Sequence, residues 1–288
     1  MAFNLKTFQT RTLTAIIFAA IMLTGLLWNH WSFLILFSII HVGCWWEYFN
    51  LLEKIHQSPV HRYLRMGFLL SGFAIMIWFC GPVFEINNYR LKENFSFPLS
   101  VAGFVFLGMG IFRTNRINLK QFAAAAFGLI YISLCWGLML SLRTWGNFEI
   151  ENEFWNKALP LGLVLSIWVN DTMAYIAGSF FGRTQLSKIS PKKTWEGTIG
   201  GIILAVVVIV LVFFYLWEIF SLKDWVFVSL IAAIAGAFGD LFESKLKRMA
   251  SVKDSDSFMP GHGGFLDRFD SMLLATPAVW IYVVLFMK

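Results

Sequence analysis

Charged residues are scarce in this chain. Asp, Glu, Lys and Arg together make up 14% of its 288 residues, whereas 58% of the residues are hydrophobic. Soluble domains typically carry about 25% charged and roughly 45–50% apolar residues. The composition therefore excludes an ordinary soluble globular protein, and the long apolar runs indicate that a lipid bilayer is the solvent.

Cysteine is also scarce, with three residues in the chain. Cys44, Cys80 and Cys135 each fall inside an apolar run, and their spacing matches no metal-ligand pattern. This distribution excludes a disulfide framework and a zinc site, so we expect the three thiols to be buried, reduced and inert. Walker-type phosphate loops and hydrolase nucleophile elbows are absent from the sequence as well.

What the chain has in abundance is long apolar stretches. A helix that crosses the bilayer needs about 20 mostly apolar residues. The stretches that meet this requirement lie near residues 12–28, 31–52, 66–84, 97–112, 122–142, 158–182, 198–218, 225–244 and 265–287. We therefore predict an all-α, polytopic integral membrane protein with about nine transmembrane helices.

The basic residues are distributed unevenly between the two sides of this arrangement. If the N-terminus is cytoplasmic, most of the 23 Lys and Arg residues fall in cytoplasmic segments, and Arg268 falls inside a span. The basic residues on the outer side are Arg90, Lys92, Arg143, Lys157, Lys223 and Lys288. The positive-inside rule favours this orientation. It places the loops 183–197 and 245–264 in the cytoplasm.

The apolar runs change character along the chain. Residues 1–142 hold five plain spans, residues 143–157 form an acidic external loop, and residues 158–288 carry ionisable residues within the spans themselves. Ionisable residues inside a membrane usually mark a functional cavity. We therefore predict that residues 158–288 form the catalytic half.

The plain half contains a tryptophan cluster and one carboxylate. Trp28, Trp31, Trp45 and Trp46 predict an interfacial aromatic belt. Glu47 lies beside this belt, and we interpret it as a helix-end residue at the headgroups, with a functional carboxylate as the alternative.

The first polar cluster of the catalytic half is Asn170-Asp171. Asp171, Tyr175 and Gly178 are spaced i, i+4 and i+7 and therefore share one helix face. A carboxylate in a span is costly and usually functional. A polar contact between helices is the structural alternative.

The second cluster is the loop that begins at residue 183. Ser190-Pro191 predicts a turn or helix start, Thr194 predicts a helix cap, and Lys192 and Lys193 lie just before it. Two lysines beside a helix N-terminus suit a polyphosphate, because the dipole and the free N–H groups add to their charge. Ordinary loop topology would explain a lysine pair equally well.

The third cluster joins two span ends. Asp240, Glu243 and Ser244 share one face of the eighth span, and Asp267 and Asp270 repeat the i, i+3 spacing in the ninth. Divalent cations with phosphate ligands are held by one or two carboxylates. The intervening run 260–264, which is rich in glycine and contains His262, predicts a turn that lets backbone approach a ligand. A plain connector would not need these residues together.

At these residues the chain resembles the phosphatidate cytidylyltransferase family, also called CDP-diacylglycerol synthases. The residues that match the signature of that family are Ser244, Leu246, Lys247, Arg248, Lys253, Asp254, Pro260, His262, Gly263, Gly264, Phe265, Asp267, Arg268, Phe269 and Asp270. The resemblance covers about 158–275. Asp256, Met259 and Ser179 depart from the usual pattern.

The resemblance implies that CTP and phosphatidate react to give CDP-diacylglycerol and pyrophosphate. It implies Mg²⁺ as the cofactor, with Asp240 and Asp267 as ligands and Asp171, Glu243 and Asp270 as further ligands or supports. The residues assigned to bind substrate phosphates are Ser190, Lys192, Lys193, Lys247, Arg248, Lys253, Arg268 and His262. For His262 we favour hydrogen bonding within its loop over general acid–base chemistry, because the lipid phosphate is already an anion and the reaction needs no base.

Other readings compete with this one. A CTP-dependent lipid-alcohol kinase, a cytidylyltransferase for an ether lipid and a membrane transporter are the alternatives. The expected location is the cell membrane with the active site facing the cytoplasm. Membrane lipid is the expected partner and nucleic acid is not, and the resemblance suggests a homodimer. Asp267→Asn is expected to lower turnover at least about a hundredfold, the scale of one electrostatic transition-state contact. Folding should suffer little, because a neutral amide is cheaper to bury than a carboxylate.

Overall fold

The computed structural model describes residues 5–114, 117–145, 153–217, 220–256 and 263–287. Ten α-helices account for most of these residues. Their bounds are α1 Leu5–Leu27, α2 His30–His56, α3 Arg62–Trp78, α4 Leu91–Arg113, α5 Leu119–Gly128, α6 Cys135–Arg143, α7 Glu153–Phe181, α8 Trp195–Val210, α9 Leu222–Met249 and α10 Phe265–Phe286. Two six-residue π-helical segments, Leu129–Leu134 and Leu211–Leu216, join α5 to α6 and extend α8.

Seven helices in the described ranges are long and apolar enough to cross a bilayer. They are His30–His56, Leu91–Arg113, Leu119–Arg143, Asn156–Phe181, Trp195–Tyr215, Leu222–Met249 and Phe265–Phe286. The shorter apolar segment Thr12–Leu27 lies within α1. The prediction of an all-α, polytopic membrane protein is confirmed, whereas the number nine and the cytoplasmic N-terminus stay predictions.

The predicted span 66–84 is wrong at its C-terminal end. Helix α3 ends at Trp78, and Gly81-Pro82 follows, a pair that cannot continue a helix. The strands Glu85–Ile86 (β1) and Tyr89–Arg90 (β2) then form a short antiparallel hairpin. Its turn places Asn87 and Asn88 at φ values of 50° and 65°, which asparagine tolerates better than most residues. This hairpin is a small departure from the all-helical prediction.

The chain divides into two compact units. Unit 1 comprises residues 1–140 and 246–269, and unit 2 comprises residues 141–245 and 270–288. The predicted division into a plain half and a catalytic half concerns function and stays a prediction.

In unit 1, α3 and α4 pack through small residues. A Cβ at Gly103 would lie 2.3 Å from the hydroxyl of Ser71, and one at Gly110 would lie 2.6 Å from Leu64. Small residues let membrane helices approach closely enough for extensive van der Waals contact.

The core of unit 1 takes in part of the tryptophan cluster. Trp28 and Trp46 are 71% and 61% exposed, as an aromatic belt requires, but Trp45 is fully buried. The indole N–H of Trp45 donates to the hydroxyl of Ser133 at 2.9 Å. Trp45 is therefore a core residue, and its predicted place in the aromatic belt is wrong. A buried indole N–H needs a hydrogen-bond acceptor, and the sequence pattern does not show that Ser133 provides one.

The three cysteines are free and buried, as the sequence predicted. Burial raises the pKa of the Cys80 thiol to about 12, so this thiol stays protonated at neutral pH.

In unit 2, α7 and α8 are held together by a seam of small residues. A Cβ at Gly197 would lie 2.7 Å from the carbonyl oxygen of Ala174, and one at Gly201 would lie 2.7 Å from the carbonyl oxygen of Asn170. The N-terminal turns of α8 therefore lie directly against the C-terminal half of α7. This close approach places the loop before α8 beside the Asn170-Asp171 pair.

Candidate active site

The loop between α7 and α8 is ordered by backbone bonds and by one carboxylate. Leu186 N donates to the carbonyl of Lys193 at 2.8 Å, and Trp195 N donates to Thr184 at 3.0 Å. Glu196, in the first turn of α8, accepts hydrogen bonds from the backbone N–H groups of Arg183 and Thr184. The loop is thereby fixed at both ends. The sequence did not reveal the bracing role of Glu196.

The predicted start of α8 is confirmed. Thr194 is the N-cap, and its hydroxyl accepts from Gly197 N at 3.1 Å. Ser190 and Pro191 form the predicted turn, with Lys193 N donating to the carbonyl of Ser190 at 3.1 Å. The two lysines consequently stand at the positive end of the α8 dipole.

A cavity of about 440 Å³ opens beside these lysines, entirely within unit 2. The charged side chains that line it are Asp171, Lys192, Lys193 and Asp240. Lys193 and Asp240 form an ion pair, and Asp240 also accepts from the hydroxyl of Ser244 at 3.2 Å. We name this group the α7–α8 cluster. It unites the first predicted cluster, the second and part of the third.

Asn170 completes the wall of the same cavity. The residue is 4% exposed, and its Nδ2 lies 3.5 Å from the carboxylate of Asp171. Tyr175 and Gly178 also line the cavity, so the predicted helix face with Asp171 is confirmed in placement.

Two predicted carboxylates of unit 2 are buried. Glu243 is fully buried, and Asp270 is 9% exposed, with its carboxylate accepting from Ser271 N at 2.6 Å. The backbone carbonyl of Asp270 lies against α9, where a Cβ at Gly239 would be 2.4 Å away. Their proposed metal-supporting role stays a prediction.

The second group of site residues belongs to unit 1 and centres on Asp267. Its Oδ1 accepts from the ammonium group of Lys247 at 2.5 Å, and the two side chains are 9% and 13% exposed. Its Oδ2 accepts from Gly264 N at 2.8 Å and from Ser255 N at 2.9 Å, and it lies 2.8 Å from Ser255 Oγ. Asp267 therefore caps the start of α10 in addition to pairing with a lysine.

The turn before α10 is shaped around these carboxylates. Gly263 has φ +80°, a conformation that L side chains rarely adopt, and a Cβ there would lie 2.6 Å from Asp267 Oδ2. A Cβ at Gly264 would lie 2.3 Å from the carboxylate of Glu47. Gly263 and Gly264 thus permit a close approach to two carboxylates of the protein, and the predicted approach of this turn to a ligand stays a prediction. His262 lies outside the described residues.

Glu47 overturns its predicted position. It lies well inside α2, which continues to His56, and it is 2% exposed. Its carboxylate accepts from Ser255 Oγ and Phe265 N at 2.6 Å and from Leu266 N at 2.9 Å. Glu47 is therefore a buried residue within α2 and not a helix-end residue, because helix α2 continues beyond the predicted span 31–52. The group formed by Glu47, Lys247, Ser255 and Asp267 is named the α10 cluster.

The remaining predicted phosphate ligands are solvent-accessible. Arg248, Lys253 and Arg268 are exposed, and Arg248 donates to the carbonyl of Val252 at 3.3 Å. Lys253 and Asp254 line a cavity of about 800 Å³ within unit 1. Their exposure is compatible with binding an anion.

No group of three or more His, Cys, Asp or Glu side chains that could hold a metal ion occurs among the described residues. The available donors still fit Mg²⁺ in kind, because Asp171 and Asp240 are hard oxygen ligands that face one cavity together with two cations. Mg²⁺ is usually held by one or two carboxylates and completed by water and substrate phosphates. The donor set therefore suits a metal that arrives with a polyphosphate.

Comparison with known proteins settles the family. The sequence model of the cytidylyltransferase family matches residues 9–286. The chain belongs to this family. The match extends the resemblance from 158–275 to almost the whole sequence, so residues 9–142 also match the family and are not merely a run of membrane helices.

Several similar proteins carry a specific name within the family. A phosphatidate cytidylyltransferase of Staphylococcus haemolyticus is 30% identical over 281 residues, which cover 96% of this chain and 99% of that protein. One of Synechocystis sp. is 31% identical over 300 residues, covering 96% of each chain. A chloroplastic one of Arabidopsis thaliana is 32% identical over 206 residues, covering 66% of this chain and 53% of that protein.

Sequence reasoning missed Ser255 as a member of the α10 cluster and Glu196 as the residue that braces the loop before α8, and it gave a functional role for Glu47 only as the alternative. The signal for Glu47 was present, because a carboxylate in an uninterrupted apolar helix is costly and seldom accidental. Ser255 and Glu196 offered no such signal, since serine and glutamate are ordinary in polar loops and first helical turns.

Proposed function

We propose that this family member transfers the cytidylyl group of CTP to phosphatidate, forming CDP-diacylglycerol and releasing pyrophosphate. The observation that carries the proposal is the α7–α8 cluster, in which two lysines, two aspartates and a helix N-terminus line one cavity. This arrangement complements a nucleotide polyphosphate. The names of the similar proteins support the same reaction.

The reaction requires charge stabilisation more than proton transfer. An oxygen of the lipid phosphate attacks the α-phosphorus of CTP, the new P–O–P linkage forms, and the bond from the α-phosphorus to the bridging oxygen breaks. Negative charge grows on the departing pyrophosphate. Fixed cations stabilise such a transition state, and we assign this role to Lys192 and Lys193 at the start of α8.

Lys193 would exchange partners during binding. In the structure it is paired with Asp240. An incoming polyphosphate offers more negative charge than one carboxylate, so Lys193 would turn to the phosphates. Asp240 would then be available for a cation that accompanies them.

We assign a divalent metal to Asp171 and Asp240 in the cavity of unit 2, with Glu243 and Asp270 of the same unit as supports. The metal-binding role of Asp267, which belongs to unit 1, stays a prediction. When bound, Mg²⁺ supplies positive charge to the phosphates of the substrate. Excess chelator should abolish turnover of purified protein, and added Mg²⁺ should restore it. Full turnover with the chelator present would refute the assignment.

We assign further phosphate contacts to the signature residues of unit 1. Lys247, Arg248, Lys253 and Arg268 would bind substrate phosphates, with Ser190 and His262 donating hydrogen bonds. Among these, Lys247 is engaged with Asp267 in the structure. Lys247 would therefore have to release the carboxylate of Asp267 before it could bind a substrate phosphate.

The decisive experiment uses CTP labelled at two positions. With phosphatidate and α-labelled CTP, radioactivity should enter the lipid phase, whereas γ-labelled CTP should leave its label in water as pyrophosphate. A CTP-dependent lipid-alcohol kinase would do the opposite with diacylglycerol, because it transfers the γ-phosphate. Substrate flux in vesicles without lipid labelling would favour the transporter reading.

We propose that the chain crosses the cell membrane nine times, with its N-terminus and the loops 183–197 and 245–264 in the cytoplasm. The basic residues on that side support this orientation. Single cysteines at Ser187 or Ser251 in a background without the native cysteines should resist an impermeant thiol reagent in intact cells. Ready labelling would reverse the topology.

A homodimer is a separate proposal, supported by the family resemblance alone. Light scattering of the detergent-solubilised protein measures the protein mass, and a mass of about 33 kDa, that of one chain, would contradict it.

A further inference from the structure

Glu47 is a buried carboxylate outside every motif of the family signature. It lies on α2, and 2% of it is exposed. Burying a carboxylate in a membrane helix is costly unless hydrogen-bond donors surround it. The contacts of Glu47 therefore indicate what the residue does.

Its main partners are the first two residues of α10. Phe265 N donates to Oε1 at 2.6 Å, and Leu266 N donates to Oε2 at 2.9 Å. The first N–H groups of a helix have no partner within the helix. A side chain more than two hundred positions away in the sequence thus caps α10, and the positive end of the helix dipole stabilises its charge.

Ser255 links Glu47 to Asp267. Its hydroxyl lies 2.6 Å from Glu47 Oε2 and 2.8 Å from Asp267 Oδ2, and its backbone N donates to the same Asp267 oxygen at 2.9 Å. One serine therefore spans two carboxylates. A displacement of Glu47 would be passed to Asp267 through this residue and through the first turn of α10.

Two glycines allow the close approach. A Cβ at Gly264 would lie 2.3–2.5 Å from the carboxylate atoms of Glu47, and one at Gly43 would lie 2.5 Å from the ring of Phe265. The backbone on both sides is thus shaped for the contact. The packing leaves little room for the start of α10 to shift against α2.

We infer that Glu47 is a positioning residue for the reaction: it holds the first turn of α10, and with it the Asp267 carboxylate, in the geometry that turnover requires. The inference rests on the proposed transferase reaction. Glu47 acts through Asp267 and Ser255 and touches no substrate. Its effect should consequently appear in kcat rather than in substrate binding.

Glu47→Gln is the most direct test, because it keeps the volume and disrupts the bonding. Glutamine offers one acceptor oxygen, and its NH₂ group would face a backbone N–H that also donates. Misplacing a catalytic group by about 1 Å can lower the rate about a hundredfold, and a smaller displacement costs less. We expect kcat per folded molecule to fall about tenfold or more, with the KM values for CTP and phosphatidate within about threefold.

Ser133→Ala is the matched control. Ser133 bonds to Trp45 and His41, which lie on the same helix α2, and it makes no bond to α10. The substitution should lower the Tm, because Trp45 and His41 lose a hydrogen-bond partner. It should leave kcat per folded molecule within about twofold of wild type, because these contacts do not involve α10. Equal losses of kcat in the two variants would overturn the inference.

Hydrogen exchange supplies a readout that does not depend on activity. In Glu47→Gln, peptides covering residues 264–270 should exchange faster than in wild type, and in Ser133→Ala they should not. Unchanged exchange at the start of α10 in Glu47→Gln would overturn the positioning role.

A double-mutant cycle separates positioning from general damage. If Glu47 acts through Asp267, Glu47→Gln should cost little further kcat in an Asp267→Asn background. Independent, multiplicative losses would contradict the inference.

Ser255→Ala tests the link if Glu47→Gln does not fold. It removes the hydroxyl and keeps the backbone bond, so we expect a kcat loss of about threefold to tenfold, the scale of one hydrogen bond. Normal kcat in this variant would overturn the inference.

Failure of the proposed reaction itself would look different. The wild-type protein would then form no labelled lipid from α-labelled CTP, so the two failures are distinguishable.

Discussion

The two clusters contain the same chemical pair in opposite settings. In the α7–α8 cluster, Lys193 and Asp240 are 30% and 27% exposed and line a cavity. In the α10 cluster, Lys247 and Asp267 are 13% and 9% exposed, and Asp267 also accepts two backbone hydrogen bonds at one oxygen. The comparison shows that the first lysine–aspartate pair borders an open cavity, whereas protein groups largely enclose the second pair.

The largest effect is expected from Asp267→Asn. If Asp267 serves both substrate and structure, turnover should fall at least about a hundredfold, the scale of one electrostatic transition-state contact. The structure also revises the expectation that folding is spared. Lys247 would lose its charged partner and the α10 cap would lose an acceptor, which costs about 1–3 kcal/mol. Activity per folded molecule and thermal unfolding in detergent measure the two effects separately.

An Asp267→Asn protein with normal turnover and a lowered Tm would make the α10 cluster purely structural. If Asp267→Asn lost turnover at an unchanged Tm, Asp267 would contribute to activity without contributing to stability, and the two clusters would no longer differ in this respect.

Asp240→Asn should reduce turnover about a hundredfold without a comparable loss of stability. The reason for the difference is exposure, because partly hydrated ion pairs contribute little to folding. Asp224→Asn is the control on the same helix. Asp224 bonds to Ser221 and Tyr282, and its substitution should leave turnover within about twofold. Destabilisation by Asp240→Asn equal to that of Asp267→Asn would break the comparison.

Lys192→Gln should have a moderate effect on catalysis with CTP. Lys192 is exposed and lines the cavity. Losing one charge-assisted contact to the phosphates in the transition state should lower kcat/KM for CTP about tenfold. Lys188→Gln, which changes an exposed lysine of the same loop, should leave kcat/KM unchanged. Steady-state kinetics over a range of CTP concentrations distinguishes them, and identical behaviour of both variants would argue against a phosphate site at Lys192.

The smallest effect on turnover is expected from a pair of glycine substitutions, which we compare by their effect on stability. A side chain at Gly264 would overlap the carboxylate of Glu47, so Gly264→Ala should destabilise the protein by about 1–3 kcal/mol, as overpacking does. A Cβ at Gly108, within α4, would meet no atom within 4 Å, and Gly108→Ala should be neutral or slightly stabilising. Thermal unfolding of the two variants tests this pair. A Gly264→Ala protein as stable as Gly108→Ala would show that the first turn of α10 can relax away from α2.

The sequence by itself determined the membrane class, most helix positions and the turn and helix cap before α8. These properties are local. Twenty consecutive apolar residues have one stable arrangement in a bilayer, and the cap at Thr194 depends only on its immediate neighbours. The family signature was legible for the same reason, since its residues are close together in the chain.

Tertiary structure alone decided the hydrogen-bond partners of Glu47 and Ser255 and the burial of Trp45. The carboxylate of Glu47 accepts a hydrogen bond from a backbone N–H group that lies 218 positions later in the chain. No periodic pattern in the sequence reveals such a contact. Hydropathy predicts that burying such a carboxylate costs free energy, but it does not identify the hydrogen-bond donors that offset this cost. Only the packing of α2 against the first turn of α10, made close by Gly43 and Gly264, brings those donors within hydrogen-bond distance.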